Sequence, residues 1–210
     1  MGCGPGWLWR SNRERIPASW QITLSDFSAG MLEEARQPLG EERFTYQVAD
    51  AQALPFDNES FDAVIANHML YHIPDIARAL GEIQRVLKPG GRFYASTIGH
   101  EHMRELDELL FRAQFSPHWQ NFRLHAPFVL ENGQEVLAPF FKQIALHLYE
   151  DALEVTEAAP LIAYALSGKL GQSANNEKWA ALAALIEQDL AAHRVIHITK
   201  ATGMFEGHKG

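Results

Sequence analysis

Glycines at every second position of the opening segment are the first residues of this sequence that could bind a ligand. They stand at Gly2, Gly4 and Gly6, around a cysteine and a proline. Because glycine has no Cβ, each can adopt a positive φ and bring its backbone N–H close to a negatively charged or nucleoside-bearing ligand. Such loops bind best where they lead into a helix, since the helix N-terminus adds donors and partial positive charge. The loop is a candidate ligand cradle, although its spacing alone is a weak signal.

Two common nucleotide-binding motifs do not match this loop. A P-loop is excluded because no Gly-Lys-Ser/Thr follows the glycines. The dinucleotide-binding fingerprint has a longer step before its last glycine, whereas the glycines here are evenly spaced. A nicotinamide-dependent oxidoreductase is therefore disfavoured as an alternative, and NAD binding would reveal one.

Two acids at the ends of predicted strands supply the polar groups that a nucleoside would need. Asp26 closes a strand predicted over residues 21–25, where a carboxylate can accept both hydroxyls of a ribose. Asp50 closes a strand over residues 44–48, and it could accept from an adenine amino group while the N–H of Ala51 meets a ring nitrogen. Each acid could instead cap a strand end or form a turn, so both interpretations stay open.

Asn67 and His68 follow an apolar run at residues 61–66 that is typical of a strand covered on both faces. His68, like the nearby Tyr71 and His72, could transfer a proton or could be an ordinary structural residue. We therefore assign no catalytic residue. The histidines lack a third ligand at metal-site spacing, so we assign no metal.

Helices alternate with these strands over the first half of the chain. Ser28 can cap a helix whose Met31, Leu32 and Ala35 share one face before Pro38 stops it. The alternation continues with a helix that opens at Pro74-Asp75 and runs to residue 87, a turn at residues 88–91 and a strand at residues 92–97. Repeated β–α units with short turns predict an α/β fold with a doubly wound, mostly parallel sheet.

The second half of the chain breaks this rhythm. Its predicted elements are a helix at 101–115, an aromatic-rich passage at 117–128, a helix at 131–142, a strand at 144–149, a helix at 156–167, a polar linker at 168–176, a helix at 177–193 and a final strand at 195–205 with a turn at Gly203.

Composition limits the class of protein. The chain has 210 residues, 47% of them hydrophobic, which suits one globular domain with a small cap. A net charge of −8 without any Lys/Arg run argues against a nucleic-acid partner. A single cysteine fits a reducing compartment, and no apolar run reaches membrane-spanning length. We expect a soluble, cytoplasmic protein that binds neither nucleic acid nor membrane.

The order and spacing of these motifs resemble class I S-adenosylmethionine-dependent methyltransferases of the ubiquinone/menaquinone-methyltransferase-like, small-molecule type. The resemblance is strong over residues 2–99 and continues more weakly to the end. Its signatures are jointly specific: Gly2-Cys3-Gly4-Pro5-Gly6, Asp26-Phe27-Ser28, Asp50-Ala51 with Leu54-Pro55-Phe56, Phe61-Asp62-Ala63-Val64, and Leu87-Lys88-Pro89-Gly90-Gly91.

The resemblance implies a Rossmann-like fold with an antiparallel C-terminal strand pair and S-adenosyl-L-methionine as cofactor. The implied cofactor-binding residues are Gly2, Cys3 and Gly4 at the methionine part, Asp26 at the ribose, Phe27 and Met31 beside the adenosine, Asp50 and Ala51 at the adenine edge, and Asn67 and His68 facing the methionine part. The methyltransferase core would be residues 1–99 and 143–210, and residues 100–142 would form a helical, aromatic-rich cap.

The resemblance further implies in-line methyl transfer to a small-molecule acceptor, with S-adenosyl-L-homocysteine as product. The acceptor atom stays open, and so does a non-catalytic binding or oligomerising role for the same fold. In the family, the glycine loop follows a central strand with an acid two residues before the first glycine. That strand would fall before Met1, so its neighbours should have unpaired backbone groups. A misassigned start codon or shortened chain is favoured over a genuine fragment or a homodimer that fills the gap.

Overall fold

The chain divides into two compact units in the computed structural model, which describes residues 1–115, 125–167 and 176–210. The first unit comprises Met1–Thr97, Leu130–His147 and Gly203–Gly210, and the second comprises Ile98–Val129 and Leu148–Thr202. The predicted division into a methyltransferase core and a cap has other bounds than these two units, and it stays a prediction.

The elements of the described residues alternate between strands and helices up to residue 98. The helices are α1 (Trp7–Ser11), α2 (Ala29–Leu39), α3 (Ile76–Val86), α4 (Arg104–Arg112), α5 (Gly133–Leu137), α6 (Ala158–Ser167) and α7 (Asn176–His193), with 3-10 turns at Arg13–Arg15 and Leu70–His72. The strands are β1 (Ile22–Asp26), β2 (Phe44–Val48), β3 (Phe61–Asn67), β4 (Leu87–Ile98), β5 (Lys142–Val155) and β6 (Ile196–His208).

The strands form two sheets, and the pairings confirm the predicted α/β class. β1 and β2 are parallel, and so are β3 and β4 in a second sheet of order β3-β4-β6-β5. β6 runs antiparallel to β4, because the N–H of Gly90 donates to the carbonyl of Lys209 while the N–H of Gly99, further along the chain, donates to that of Ala201. The close approaches of Gly203 to His147 and of Gly207 to Phe141 show that β5 and β6 are also antiparallel.

The α2 helix begins as predicted and buries two of the three residues that the sequence places on one face. The Ser28 hydroxyl accepts from the N–H of Met31 at 3.4 Å, as expected of an N-cap. Leu32, Ala35 and Leu39 are buried against β1 and β2, whereas Met31 is 40% exposed. Met31 lies at the exposed edge of the face that the sequence assigns to it with Leu32 and Ala35, because residues one position apart on a helix point about 100° apart.

The interpretation of β3 as a strand covered on both faces is wrong in its first half. Asp62 and Ala63 are exposed, whereas Ala66 is buried. Among the described strands, β3 hydrogen-bonds to β4 alone and β1 to β2 alone. Side chains at the start of β3 therefore lack the neighbours that a further paired strand would supply.

Two predicted turns are part of strands in the structure. Residues 88–91 belong to β4, whose pairing with β3 shifts register between Phe61 and Ala63. β6 continues through Gly203 without a turn. A Cβ at Gly203 would lie 3.0 Å from the carbonyl oxygen of His147, so this glycine serves the close approach of β5.

The second unit has a helical core of its own. Its largest buried side chains on the helices include Leu106 and Leu110 of α4, Leu161 of α6, and Leu182 and Ile186 of α7. Residues 116–124 lie outside the described residues, and they include Pro117, His118, Trp119 and Phe122 of the predicted aromatic-rich passage. Residues 168–175 of the predicted polar linker also lie outside them. Within the described ranges, no helix combines the length and apolar character needed to cross a membrane.

Glu105 links α4 to β6 within the second unit. Its carboxylate accepts from the Thr199 hydroxyl at 2.6 Å and from the Thr199 N–H at 2.7 Å. Burial alone would raise the pKa of Glu105, but these bonds and one from Arg104 hold that pKa at about 2. The ionised Glu105 carboxylate therefore stabilises the fold of the second unit.

We expect Glu105→Gln to lower the free energy of unfolding by about 2 kcal/mol at pH 7, because one acceptor becomes a donor facing Thr199. Since the folded pKa lies below the unfolded value, the lost stabilisation is full above about pH 4.5 and disappears as pH falls towards 2. Urea unfolding at pH 7 and pH 3 should show a smaller deficit at pH 3. Glu108→Gln, at an exposed position of the same helix, is the control, and it should leave the free energy of unfolding unchanged at both pH values. An equal deficit at both pH values would contradict the assignment.

Candidate functional site

The opening glycine loop meets Asp26 at the end of β1. The N–H of Gly4 donates to Asp26 Oδ2 at 2.9 Å. The N–H of Cys3 donates to the carbonyl of Ser25 at 3.0 Å, so the loop runs along the last residues of the strand. Gly2, Gly4 and Gly6 have φ values of 57°, 50° and 76°, a region that favours glycine. The loop therefore has the backbone geometry that its glycines predict.

The same loop also reaches the end of β3. A Cβ on Gly2 would lie 2.8 Å from the Cβ of Met69, so the two backbones approach closely there. The amino group of Met1 donates to the carbonyl of Ile65 at 2.9 Å. A Cβ on Gly4, by contrast, would meet no atom within 4 Å. The loop thus packs against β1 and β3 and leaves open space beside Gly4.

Asp26 is a structural and a candidate binding residue at once. Its Oδ1 accepts from the N–H of Ser28 at 2.9 Å, and its Oδ2 accepts from Gly4. The bond to the residue two positions on is the local turn that aspartate favours. A carboxylate offers about four lone-pair positions, so two remain for a ligand hydroxyl. The turn interpretation and the binding interpretation are therefore compatible.

Asp50 repeats this arrangement at the end of β2. Its Oδ1 accepts from the N–H of Gln52 at 2.9 Å, again two residues on. Hydrogen bonds from the backbone and side chain of Gln52 lower the pKa of Asp50. The N–H of Ala49 donates to the carbonyl of Asp26 at 3.0 Å, which brings the two strand ends together. Ala51 follows Asp50 and is buried.

Asn67 and His68 are held by Ser96, which lies on the neighbouring strand β4. The Ser96 hydroxyl donates to Asn67 Oδ1 at 3.3 Å, and the His68 N–H donates to the Ser96 carbonyl at 3.1 Å. His68 has a φ of 48°, so the chain turns sharply after β3. Desolvation lowers the pKa of His68, which favours its neutral form. The ring centroids of Tyr71 and His72 are 4.5 Å apart.

The remaining predicted cofactor-binding residues are Phe27, Met31 and Cys3. Phe27 is 78% exposed and Met31 40% exposed, so both offer apolar surface next to Asp26. The Cys3 thiol donates to the carbonyl of Gly4 at 3.3 Å, and burial raises its pKa to about 11. A thiol with this pKa is protonated at neutral pH and is a poor nucleophile. Among the described residues, no three His, Cys, Asp or Glu side chains are arranged to hold a metal ion.

The structure brings the predicted residues to one edge of the first unit. Asp26 and Asn67 are the last residues of the parallel strands β1 and β3, Asp50 lies two residues after β2, and the glycine loop contacts β1 and β3. Open α/β sheets bind ligands at the carboxyl ends of their strands, where the strand order reverses. Sequence reasoning missed Gln52 and Ser96, which orient the predicted residues. The Asp-x-Gln spacing could have indicated the turn at Gln52, whereas nothing local indicated Ser96.

Comparison with known proteins indicates a methyltransferase. Residues 1–95 match the family of methyltransferase domains. The chain is 44% identical over 72 residues to a ubiquinone/menaquinone biosynthesis C-methyltransferase of Desulfotalea psychrophila, which covers 34% of this chain and 29% of that protein. It is 36% identical over 129 residues to a malonyl-[acyl-carrier protein] O-methyltransferase of Erwinia billingiae, covering 60% of this chain and 45% of that protein. The chain thus spans less than half the length of these relatives.

The whole fold resembles a known structure. The crystal structure of an inferred methyltransferase from Bacillus halodurans superposes with a TM-score of 0.64 at 16% identity, covering 99% of this chain and 90% of that one. Its identity is low, so it supports the fold alone. The domain match, the similar sequences and the shared fold agree with the glycine loop and the two strand-end acids. The comparisons therefore support a class I S-adenosylmethionine-dependent methyltransferase family for this chain, with the matched methyltransferase domain at residues 1–95.

Proposed function

We propose that this chain binds S-adenosyl-L-methionine and transfers its methyl group to a small-molecule acceptor. The observation that carries the proposal is the hydrogen bond between the Gly4 N–H and Asp26 Oδ2, which joins the glycine loop to the acid at the end of β1. Open space beside Gly4 admits a ligand to this point. The residues fit the cofactor, because a glycine loop with open space beside it stands next to carboxylates that keep unused lone pairs.

The binding roles follow from chemistry at each position. Asp26 would accept from the ribose hydroxyls, and Asp50 would accept from the adenine amino group with Ala51 beside it. Gly2, Cys3 and Gly4 would line the methionine part together with Asn67 and His68. Phe27 and Met31 would cover the adenosine with apolar surface, and burying that surface against the purine would stabilise the complex.

When bound, S-adenosyl-L-methionine supplies an activated methyl group on a cationic sulfur. The chain's own contribution is to hold acceptor and methyl in line and to exclude water, which is a proximity effect. His68 is a candidate proton acceptor, because desolvation favours its neutral imidazole. An acceptor that arrives as an anion or a free amine would need no base.

The identity of the acceptor is a narrower question. The relatives named above are, by their names, a C-methyltransferase of ubiquinone/menaquinone biosynthesis and an O-methyltransferase of malonyl-[acyl-carrier protein]. Of these two, the quinone precursor is a small molecule, whereas the malonyl group is carried by a protein, so we propose an acceptor of the first kind. Formation of S-adenosyl-L-homocysteine with a demethylated quinol, and not with a malonyl thioester, would select the first.

Cofactor binding is the first test of this function. A ligand at 100 times its Kd stabilises the folded state by about 2.7 kcal/mol. For a chain of this size that corresponds to a rise in Tm of about 5–10 °C. We expect S-adenosyl-L-homocysteine to give this shift in thermal unfolding and NAD to give none. The proposal fails if saturating S-adenosyl-L-homocysteine leaves the Tm unchanged and calorimetry detects no heat of binding.

A second candidate is a non-catalytic role of the same fold. The observation that favours it is the break between the two sheets, since β1 and β3 are not hydrogen-bonded to each other in the described residues. Such a break beside the site could leave the ligand contacts too loosely held for binding. This candidate predicts the opposite result in the same titration, namely no shift with either ligand.

A further inference from the structure

Gln52 holds the carboxylate of Asp50 with both its backbone and its side chain. Its N–H donates to Asp50 Oδ1 at 2.9 Å. Its side-chain Nε2 donates to the same oxygen at 3.2 Å and lies 3.4 Å from Oδ2. A single residue therefore fixes the direction in which the carboxylate points.

The N-terminal turn of α3 holds Gln52 in turn. Gln52 Oε1 accepts from the N–H of Asp75 at 3.1 Å, and its backbone carbonyl accepts from Arg78 Nε at 2.9 Å. Because the amide oxygen faces the Asp75 N–H, the amide nitrogen must face Asp50. Asp75 is itself the N-cap of α3, since its Oδ1 accepts from the Arg78 N–H at 3.0 Å.

A second set of hydrogen bonds fixes the far end of the loop that follows Asp50. The Leu54 N–H donates to Glu82 Oε2 at 2.8 Å, and Arg85 Nη2 donates to the Leu54 carbonyl at 3.0 Å. Glu82 and Arg85 are paired with each other at 2.7 Å. Arg85 Nη1 also donates to the carbonyl of Phe56 at 2.8 Å. Helix α3 therefore holds the loop after Asp50 at both of its ends.

We propose that Gln52 is a positioning residue that sets the Asp50 carboxylate for recognition of the adenine amino group. The proposal rests on the proposed function, in which Asp50 contacts that amino group. A neutral amide suits this role, because it orients the carboxylate without pairing its charge. The ionised carboxylate then keeps lone pairs that can accept from a ligand N–H.

Ligand selectivity tests this role against a merely structural one. S-inosyl-L-homocysteine carries an oxygen in place of the adenine amino group of S-adenosyl-L-homocysteine. Wild-type protein should prefer the adenosyl ligand. Gln52→Ala should lower the affinity for the adenosyl ligand about tenfold and leave the affinity for the inosyl ligand within twofold, as measured by calorimetry.

The chain offers a matched control on helix α3. Gln84 is also half-buried, and its Nε2 donates to the carbonyl of Phe140 at 2.6 Å. Gln84→Ala removes a side-chain hydrogen bond of the same kind outside the Asp50 loop. It should leave both affinities unchanged, and far-UV circular dichroism should confirm that both variants are folded.

Acid titration of binding adds a second readout. The hydrogen bonds from Gln52 hold the pKa of Asp50 low, and removing the side-chain donor should raise that pKa. An ionised Asp50 is the acceptor, so binding is lost as pH falls through its pKa. The loss for the adenosyl ligand should therefore begin at a higher pH in Gln52→Ala than in wild type. Gln52→Glu, which replaces the donor with a second carboxylate, should shift it further in the same direction.

Each outcome decides the matter. A reduced preference for the adenosyl ligand together with the shifted pH profile supports the positioning role. Equal losses for the adenosyl and inosyl ligands would mean that Gln52 serves the fold of the loop alone. An unchanged preference would overturn the role of Gln52 while the proposed function stands. Failure of wild-type protein to bind either ligand would overturn both.

Discussion

Asp26→Asn is expected to weaken binding of S-adenosyl-L-homocysteine about 100-fold. Both oxygens of the Asp26 carboxylate accept backbone N–H groups, one from Gly4 and one from Ser28. An asparagine would place an NH2 against one of these donors and would also lose the charge that strengthens bonds to the ribose hydroxyls. Hydrogen bonds to charged groups contribute about 1.5–3 kcal/mol each, and a 100-fold loss corresponds to about 2.7 kcal/mol.

The experiment needs a control for the loss of a carboxylate as such. Asp62 lies on β3, is paired with Lys88 at 2.8 Å, and has 86% of its side chain exposed. Asp62→Asn should leave the affinity unchanged. Calorimetric titration of both variants gives the ratio, and circular dichroism shows whether Asp26→Asn is folded. Wild-type affinity in a folded Asp26→Asn protein would remove Asp26 from the ribose site.

The sequence could predict those parts of the fold that local interactions determine. β1 and β2 lie within one residue of their predicted bounds, because alternation and flanking turns define them. Ser28 and Asp75 cap their helices as expected, since a cap requires only residues three positions apart. The strand-end acids were found for the same reason. Each stands at a boundary that the local pattern marks.

Features that depend on distant partners were not predictable in this way. The extension of β4 back to Leu87 requires distant partners: Leu87 pairs with Phe61 of β3, and Gly90 and Gly91 bond to Lys209, which follows β6. The residues 88–91 look like a turn until that partner is present. Similarly, the role of Gln52 depends on the approach of α3, which no local pattern reports. The site's residues were therefore more predictable than the bonds that orient them.

The candidate site combines turn-forming roles and proposed binding roles in the same residues. Asp26 and Asp50 both accept from an N–H two residues on, and each keeps acceptor capacity beyond that bond. The turn orients the carboxylate before any ligand arrives, which lowers the entropic cost of binding. A strand-end acid that forms its own turn is therefore better suited to binding than a freely rotating one.

Gly4→Ala should abolish most cofactor affinity at little cost in stability. Gly4 has a φ of 50°, so an alanine there costs about 1 kcal/mol of backbone strain. Its Cβ would meet no protein atom within 4 Å, so no packing is disturbed. If the ligand occupies that space, the added methyl group should displace it and weaken binding more than tenfold. Calorimetry and urea unfolding measure the two effects separately.

Gly6→Ala should show the reverse pattern and is the matched control. Gly6 has a φ of 76°, so the backbone strain is similar. Its Cβ would lie 2.8 Å from Leu39 Cδ1 and 3.2 Å from Ala35 Cβ, against the buried face of α2. Overpacking of this kind costs about 1–3 kcal/mol, so stability should fall further than in Gly4→Ala while the folded fraction keeps its affinity within a few-fold. If Gly4→Ala bound the cofactor normally, the open side of the loop would not be the ligand's side.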